Sequence, residues 1–341
     1  MTPLHGHGEA VAALRGALDA GKLHHAWLIA GPRGVGKALF ARHAALRMLV
    51  QATGPIARPG LALPVEHPTA KLFEAGSHPD FRLVKREVWD KDGKRIVQEH
   101  DRSGTEDLAR SIRVLQIRWL IAGLATTTSL APRRVVVIDA IDDLEPPAAN
   151  ALLKSLEEPP ASTVFLLVSH APDQLLPTIR SRCRLLRLGP LAGDDLIAAL
   201  HAALPDVGPQ EIAALAAACN GAPGRAVAFQ GLDVAGMDNS LRALARNGDR
   251  SGAQRSDLAG ALGSKAARER YEAFLGRATS FIAAEARGRR GADLKVAIGL
   301  WEQASALAGV AVRQSLDPQS TVFEIAGLVA QLAPAGQWER R

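Results

Sequence analysis

Gly31-Pro32-Arg33-Gly34-Val35-Gly36-Lys37-Ala38 satisfies the phosphate-loop pattern G-x-x-x-x-G-K-[ST] up to its final position. In such a loop the backbone N–H groups cradle phosphate oxygens and the lysine reaches the terminal ones. The final Ser or Thr normally offers a hydroxyl to Mg²⁺. Ala38 has no oxygen to offer. The candidate nucleotide-binding residues are therefore Gly31, Arg33, Gly34, Val35, Gly36, Lys37 and Ala38, in a degenerate site.

Working outward, Ala26-Trp27-Leu28-Ile29-Ala30 is a short apolar run that reads as a buried strand, and a helix is expected from about Lys37 to Val50. Strand, glycine loop and helix form the context that a phosphate-loop match requires. Upstream, Val11, Leu14 and Leu18 recur at helical spacing, with Gly21 where that helix would stop. Downstream, Arg134 to Asp139, Thr163 to Ser169 and Leu185 to Leu188 read as further buried strands, with a helix from about Pro147 to Glu157 between the first two. Strands alternating with helices imply an α/β fold with a mainly parallel sheet covered on both faces. Ligands of such sheets sit at the carboxyl ends of the strands, where the glycine loop and Asp139 fall.

The segment from Gln51 to Pro68 is rich in Pro, Gly and Ala and reads as irregular. Phe81 to His100 alternates apolar and charged residues and suggests a hairpin with its turn at Asp92-Gly93. Ser103 and Glu106 have capping-box spacing, and the helix they open would place Leu108, Ile112, Leu115 and Trp119 on one face. After Gly189-Pro190 strands vanish and alanine-rich helical segments continue almost to the end.

Asp139 reads either as a metal-orienting carboxylate or as a helix cap at a strand end, and the glycine loop upstream favours the first. The acid that usually follows it to position water is replaced by Ala140, and carboxylates return only at Asp142 and Asp143. Losing two catalytic oxygens should lower rate far more than affinity, because catalysis depends on stabilising the transition state. Little or no hydrolysis is expected. Arg182, in Ser181-Arg182-Cys183, is either half of a surface ion pair or an arginine given to a neighbour's nucleotide.

With 341 residues, 47% of them hydrophobic, the chain has room for two or three domains. No apolar run approaches the ~18 residues of a membrane span. The start, Met1-Thr2-Pro3-Leu4-His5-Gly6, lacks a charged-then-apolar signal pattern. Cys183 and Cys219 are far apart and form no disulfide framework, which suits a cytoplasmic location. The net charge of +6 is scattered, without a basic stripe interleaved with aromatics. It reads as a solvated surface rather than a direct nucleic-acid footprint.

Four ordered motifs carry a resemblance: His24-His25-Ala26-Trp27, Ser77-His78-Pro79-Asp80, Asn150 to Pro160 (Asn-Ala-Leu-Leu-Lys-Ser-Leu-Glu-Glu-Pro-Pro) and Ile179-Arg180-Ser181-Arg182-Cys183-Arg184. With the glycine loop they resemble the clamp-loader branch of the AAA+ family, and within it the delta-prime subunits of bacterial DNA polymerase III. The resemblance implies an AAA+ core over 1–190, a small helical lid over 191–232 and an all-α C-terminal collar over 233–341. It implies a non-motor subunit in a ring with gamma/tau motor and delta subunits, acting on the sliding clamp and primed DNA. It implies that Arg182 serves as a finger in the adjacent subunit's ATP site. The alternatives are an active motor subunit of the same family and an unrelated phosphate-loop kinase; Ala38 and Ala140 speak against both. Motor subunits carry a nucleotide-touching lid arginine where this chain has Gly224, with Arg225 one residue on. Related subunits often carry four zinc-binding cysteines before the Ser-His-Pro-Asp segment. None stands here, and His67 with His78 cannot complete a four-coordinate site, so no metal is expected. No cofactor is required on this reading, while Gly36-Lys37 keeps ATP or ADP binding open.

Overall fold

The structure, a computed structural model, describes residues 1–54, 56, 60, 61, 63, 67–89, 96, 108–311 and 314–334. Two compact units are present: Met1–Pro205 with Gly221–Gly224, and Asp206–Asn220 with Arg225–Arg341.

The first unit is built on a five-stranded sheet. Its strands are β1 (Ala26–Ala30), β2 (Phe81–Lys85), β3 (Arg134–Asp139), β4 (Thr163–Ser169) and β5 (Arg184–Arg187). The order is β2-β3-β4-β1-β5, with every neighbouring pair parallel. Side chains alternate across a strand, so each central strand feeds two cores. Trp27, Ile29, Val135, Val137, Leu166 and Val168 face one layer, packed with α2 (Lys37–Thr53) through Phe40, Ala44, Met48 and Leu49. Leu28, Val136, Ile138, Phe165 and Leu167 face the other, with α4 (Val114–Leu124) and α5 (Pro146–Glu157). That burial on both faces explains why these strands read as continuous apolar runs. The α/β core with a parallel sheet is therefore as expected. The remaining helices of this unit include α1 (Gly8–Asp19), α3 (Pro68–Glu74), the short α6 (Pro177–Arg180) and α7 (Gly193–Ala203).

Buried polar groups pin the strand ends. Asp80 is fully buried and accepts from the N–H groups of Ser129, Leu130 and Ala131 at 2.8, 2.7 and 2.9 Å. Burial alone would raise its pKa, but these three bonds outweigh it and hold the carboxyl below its usual range. His78 Nδ1 accepts from the Asp80 N–H at 3.1 Å. The Ser-His-Pro-Asp segment thus ties the chain entering β2 to the chain entering β3. Trp27 Nε1 donates to the His24 carbonyl at 3.1 Å, and His25 Nε2 donates to the Leu156 carbonyl at 3.0 Å. The His-His-Ala-Trp segment fastens β1 to the end of α5 in the same manner.

The hairpin expectation holds in part, and the helix expected after it needs correction. Phe81–Lys85 is a parallel edge strand beside β3, in register Phe81↔Val135; the Asp80 clamp sets that register. Of the expected hairpin, an antiparallel bridge joins Trp89 and Ile96, and the Asp92-Gly93 turn lies outside the described residues. The Ser103–Glu106 box also lies outside them. Helix α4 starts only at Val114, where the Gln116 side chain accepts from the Arg113 N–H at 3.0 Å. Its buried face is Gln116, Ile117, Leu120 and Leu124, while Leu108 and Trp119 are exposed.

In the second unit the described residues form helices: α8 (Pro209–Ala218), α9 (Pro223–Phe229, whose first two residues belong to the other unit), α10 (Val234–Asn247), α11 (Ala253–Leu262), α12 (Arg268–Arg287), α13 (Gly291–Ala311) and α14 (Pro318–Ala330). Their core gathers Leu241, Leu244, Phe274, Ile282, Leu300, Val322 and Ile325. A buried ion pair joins Arg277 of α12 to Asp238 of α10, and Arg277 Nη1 also donates to the Ala218 carbonyl at 3.0 Å. Among the described residues no single helix is long and apolar enough to cross a membrane.

Candidate functional site

The glycine loop connects β1 to α2, with Gly34 and Gly36 in the left-handed region at φ 83° and 99°. That region is open to glycine at little cost. It turns the loop so that successive N–H groups lead into the first turn of α2. Among the described residues, no hydrogen bond is donated by the backbone N–H of Arg33, Gly34, Val35, Gly36, Lys37, Ala38 or Leu39. A helix start with unsatisfied donors is an anion site by its own electrostatics. These residues fit a phosphate. The Lys37 ammonium donates to the Gly31 and Pro32 carbonyls at 2.7 and 2.6 Å. Burial lowers its pKa to about 8, against the pull of Asp142 and Asp139.

Two of the three carboxylates near the loop are taken by other partners. Burial first, and Asp143 next, push Asp139 above the usual carboxylate range, although Lys37, Lys85 and Arg86 oppose this. Asp142 accepts from the Ser169 hydroxyl at 2.8 Å and from the N–H groups of His170 and Ala171 at 2.7 and 3.1 Å. It closes the end of β4. Asp143 pairs with Arg86 at 3.3 Å. With Ala38 at the hydroxyl position, Asp139 is the one carboxylate of the three that makes no hydrogen bond or ion pair among the described residues. Among the described residues no group of three or more His, Cys, Asp and Glu is placed to hold an ion. His67 Nδ1 accepts from the Thr69 N–H at 3.2 Å, and His78 is held as described, so both imidazoles serve local backbone.

Two segments far along the chain reach the loop. His7 Nε2 donates to the Val35 carbonyl at 2.8 Å. The Gly224 N–H donates to the Gly34 carbonyl at 2.8 Å, and a Cβ at Gly224 would lie 2.9 Å from the Gly34 Cα. No side chain at 224 fits that approach without a shift. Arg225, the neighbouring cation, donates to the Ser280 hydroxyl at 3.1 Å. His170 follows β4, and burial, with Lys37 and Arg33 adding to it, lowers its pKa to about 4, so the ring is neutral at pH 7. Sequence reasoning missed His7, Asp142 in its capping role, and His170. The glycines flanking His7 are a faint signal; the other two carried none.

Arg182 lies beyond α6. Cys183 packs against the sheet core and its thiol is pushed up to about 12 by burial, while Arg182 is partly exposed. The half-buried cysteine packs on the sheet core, and the arginine beside it stays partly exposed. Its guanidinium pairs with Glu157 at 2.7 Å and donates to the Thr178 carbonyl at 2.8 Å. Both side chains of that pair stay substantially exposed, so it is a weak tether.

Residues 6–192 match the sequence model of the family described as "DNA polymerase III, delta subunit". A DNA polymerase III subunit delta' of Pseudomonas aeruginosa is 36% identical over 211 residues, covering 62% of this chain and 57% of its own. A DNA polymerase III subunit gamma of Buchnera aphidicola is 31% identical over 54% of this chain and 44% of its own. The chain spans about half the length of the curated relatives it matches. Among solved structures, a gamma subunit-related protein of Thermotoga maritima aligns with 93% of this chain and 98% of its own at 16% identity and TM-score 0.42.

Proposed function

The chain belongs to the DNA polymerase III delta subunit family, and on that premise we propose that it is a non-motor, delta-prime-type subunit of the clamp loader. The observation that carries this reading is the contrast between a loop able to hold phosphate and the commitment elsewhere of two of the three carboxylates beside it. Asp142 closes β4 and Asp143 pairs with Arg86, while position 38 lacks an oxygen. Backbone N–H groups from 33 to 39 and Lys37 would hold ATP or ADP. Nothing in the set would bind Mg²⁺ or position water, so turnover by this chain alone is negligible.

Its chemistry is exerted in a neighbour. Arg182, released from Glu157, would reach the nucleotide of an adjacent gamma/tau motor subunit and stabilise charge on the transferred phosphoryl group. The layout is a core over 1–190, a lid over 191–232 and a collar over 233–341 that joins the delta and motor subunits in a cytoplasmic ring. That assembly opens the sliding clamp and places it on primed DNA. The competing reading is an active motor subunit. Co-purification with motor and delta subunits, followed by a steady-state ATPase assay of the isolated chain, separates the two. Assembly with turnover far below one per second supports the proposal. Turnover near one per second, the low end for working enzymes, overturns it.

A further inference from the structure

Four carbonyls of the glycine loop are held, while the N–H groups between them are free. Lys37 Nζ holds those of Gly31 and Pro32, the Gly224 N–H holds that of Gly34 at 2.8 Å, and His7 Nε2 holds that of Val35 at 2.8 Å. Among the described residues, the N–H groups of Arg33, Gly34, Val35 and Gly36 donate to nothing. The peptide units here are trans, so the C=O and N–H of each point to opposite sides. A partner on the Val35 carbonyl therefore turns the Gly36 N–H away from that partner. Gly224 does the same for the Val35 N–H through the Gly34 carbonyl. Successive free N–H groups of this kind make an anion-binding concavity.

His7 serves this contact rather than its own helix. It stands at the N-cap of α1 with φ 58°, a conformation that residues other than glycine seldom adopt, yet its side chain makes no cap bond. The ring reaches 28 positions along the chain instead. Gly6 before it also has positive φ, and a Cβ there would lie 2.5 Å from Leu191 Cδ2, so the segment is seated directly on Leu191. A Cβ at Gly36 would stand 3.8 Å from His7 Nε2, so the ring lies against the loop. A carbonyl only accepts, so Nε2 carries a proton whether the ring is neutral or charged. We propose that His7 is a positioning residue of the phosphate loop. By holding the Val35 carbonyl it turns the Gly36 N–H toward the anion, and the loop meets the phosphates of a nucleoside di- or triphosphate already set. This role rests on the reading of the loop as a phosphate holder. It does not depend on Arg182 or on whether the chain hydrolyses nucleotide.

The test is isothermal titration of the full chain with ADP and with inorganic pyrophosphate, which has phosphates but no base. His7→Asn keeps a residue that tolerates positive φ, but its amide stops at the Nδ1 position; His7→Gln places a donor near the Nε2 position. Circular dichroism confirms folding, and should H7N not fold, His7→Gly, which allows the same backbone, takes its place. H7N should weaken both ligands by about fivefold, the loss expected for one neutral hydrogen bond, while H7Q stays within about twofold of the parent. Three outcomes overturn this role and leave the loop a phosphate holder. They are equal affinity of H7N and the parent; H7Q as weak as H7N, which would trace the loss to packing; and a loss for ADP with none for pyrophosphate, which would make His7 a contact to the nucleoside. A parent chain that binds neither ligand up to about 1 mM overturns both this role and the phosphate-holding reading.

Discussion

The end of β1 and the turn after α6 treat their charged residues in opposite ways. At the loop, Lys37, Asp142 and Asp143 are drawn into the protein's own structure, and Asp139 alone of the three carboxylates makes no such bond among the described residues. Lys37 binds the carbonyls of Gly31 and Pro32, Asp142 closes β4, and Asp143 holds Arg86. At the turn, Cys183 is half-buried against the sheet core, and Arg182 is partly exposed, held by the exposed Glu157 and by the Thr178 carbonyl. A carboxylate that already satisfies backbone donors cannot also turn toward a metal without leaving them unpaired. An arginine in a half-exposed ion pair can leave it at a cost of about 1 kcal/mol or less. The first corner is a fixed scaffold, and the second is available to a partner.

The largest effect expected from breaking this contrast is at Arg182. R182A should leave the chain folded and able to assemble. It should lower ATP turnover at the site it serves by about 10³-fold or more, the range for arginine fingers in other systems. Turnover of the reconstituted complex checks it, and an unchanged rate would remove Arg182 from the mechanism. Next comes Lys37. K37A should weaken ATP or ADP binding by roughly 10- to 100-fold by isothermal titration, in line with a lost charge-assisted bond. In the parent the free-state pKa is about 8 and a bound phosphate would raise it. Affinity is therefore full below pH 8 and declines as pH rises above it; a flat profile from pH 7 to 9 would contradict this.

Asp80 tests the scaffold itself. D80A takes the buried acceptor from the N–H donors of Ser129, Leu130 and Ala131 and should destabilise the first unit by about 3 kcal/mol in denaturant melts. Because the folded carboxyl titrates below its unfolded value, its stabilisation is present above the unfolded pKa of about 3.9 and is lost as pH falls through the folded one. D80A should therefore flatten the acid limb of the stability profile. The smallest effect belongs to Glu157. E157Q should change stability by less than about 0.5 kcal/mol, since both partners of its ion pair are exposed.

Much of this was legible in the chain. The bounds of β1, β3 and β4 follow from unbroken apolar runs, because a central parallel strand is buried on both faces. The phosphate loop is local backbone chemistry, carried by glycines and one lysine at fixed spacing. Alternation predicts the antiparallel approach of Trp89 and Ile96, but it describes any half-buried edge and does not name β3 as the parallel partner of β2. The start of α4 is not legible in the chain, because an apolar spacing that includes Leu108 and Ile112 looks helical. The cap at Arg113 and Gln116, and the bridge from Ile112 to Leu144, override it.

By itself the sequence determined the loop, the strands around it, the missing oxygens at positions 38 and 140, and the Arg182 turn. Each of these depends on neighbours within a few residues. Only the tertiary structure decided which carboxylates are occupied, that Gly224 lies against the Gly34 backbone, and that His7 holds the Val35 carbonyl. Those facts depend on contacts between residues tens to hundreds of positions apart. Local propensity and periodicity carry no information about such pairs, because only chain folding brings them within bonding distance.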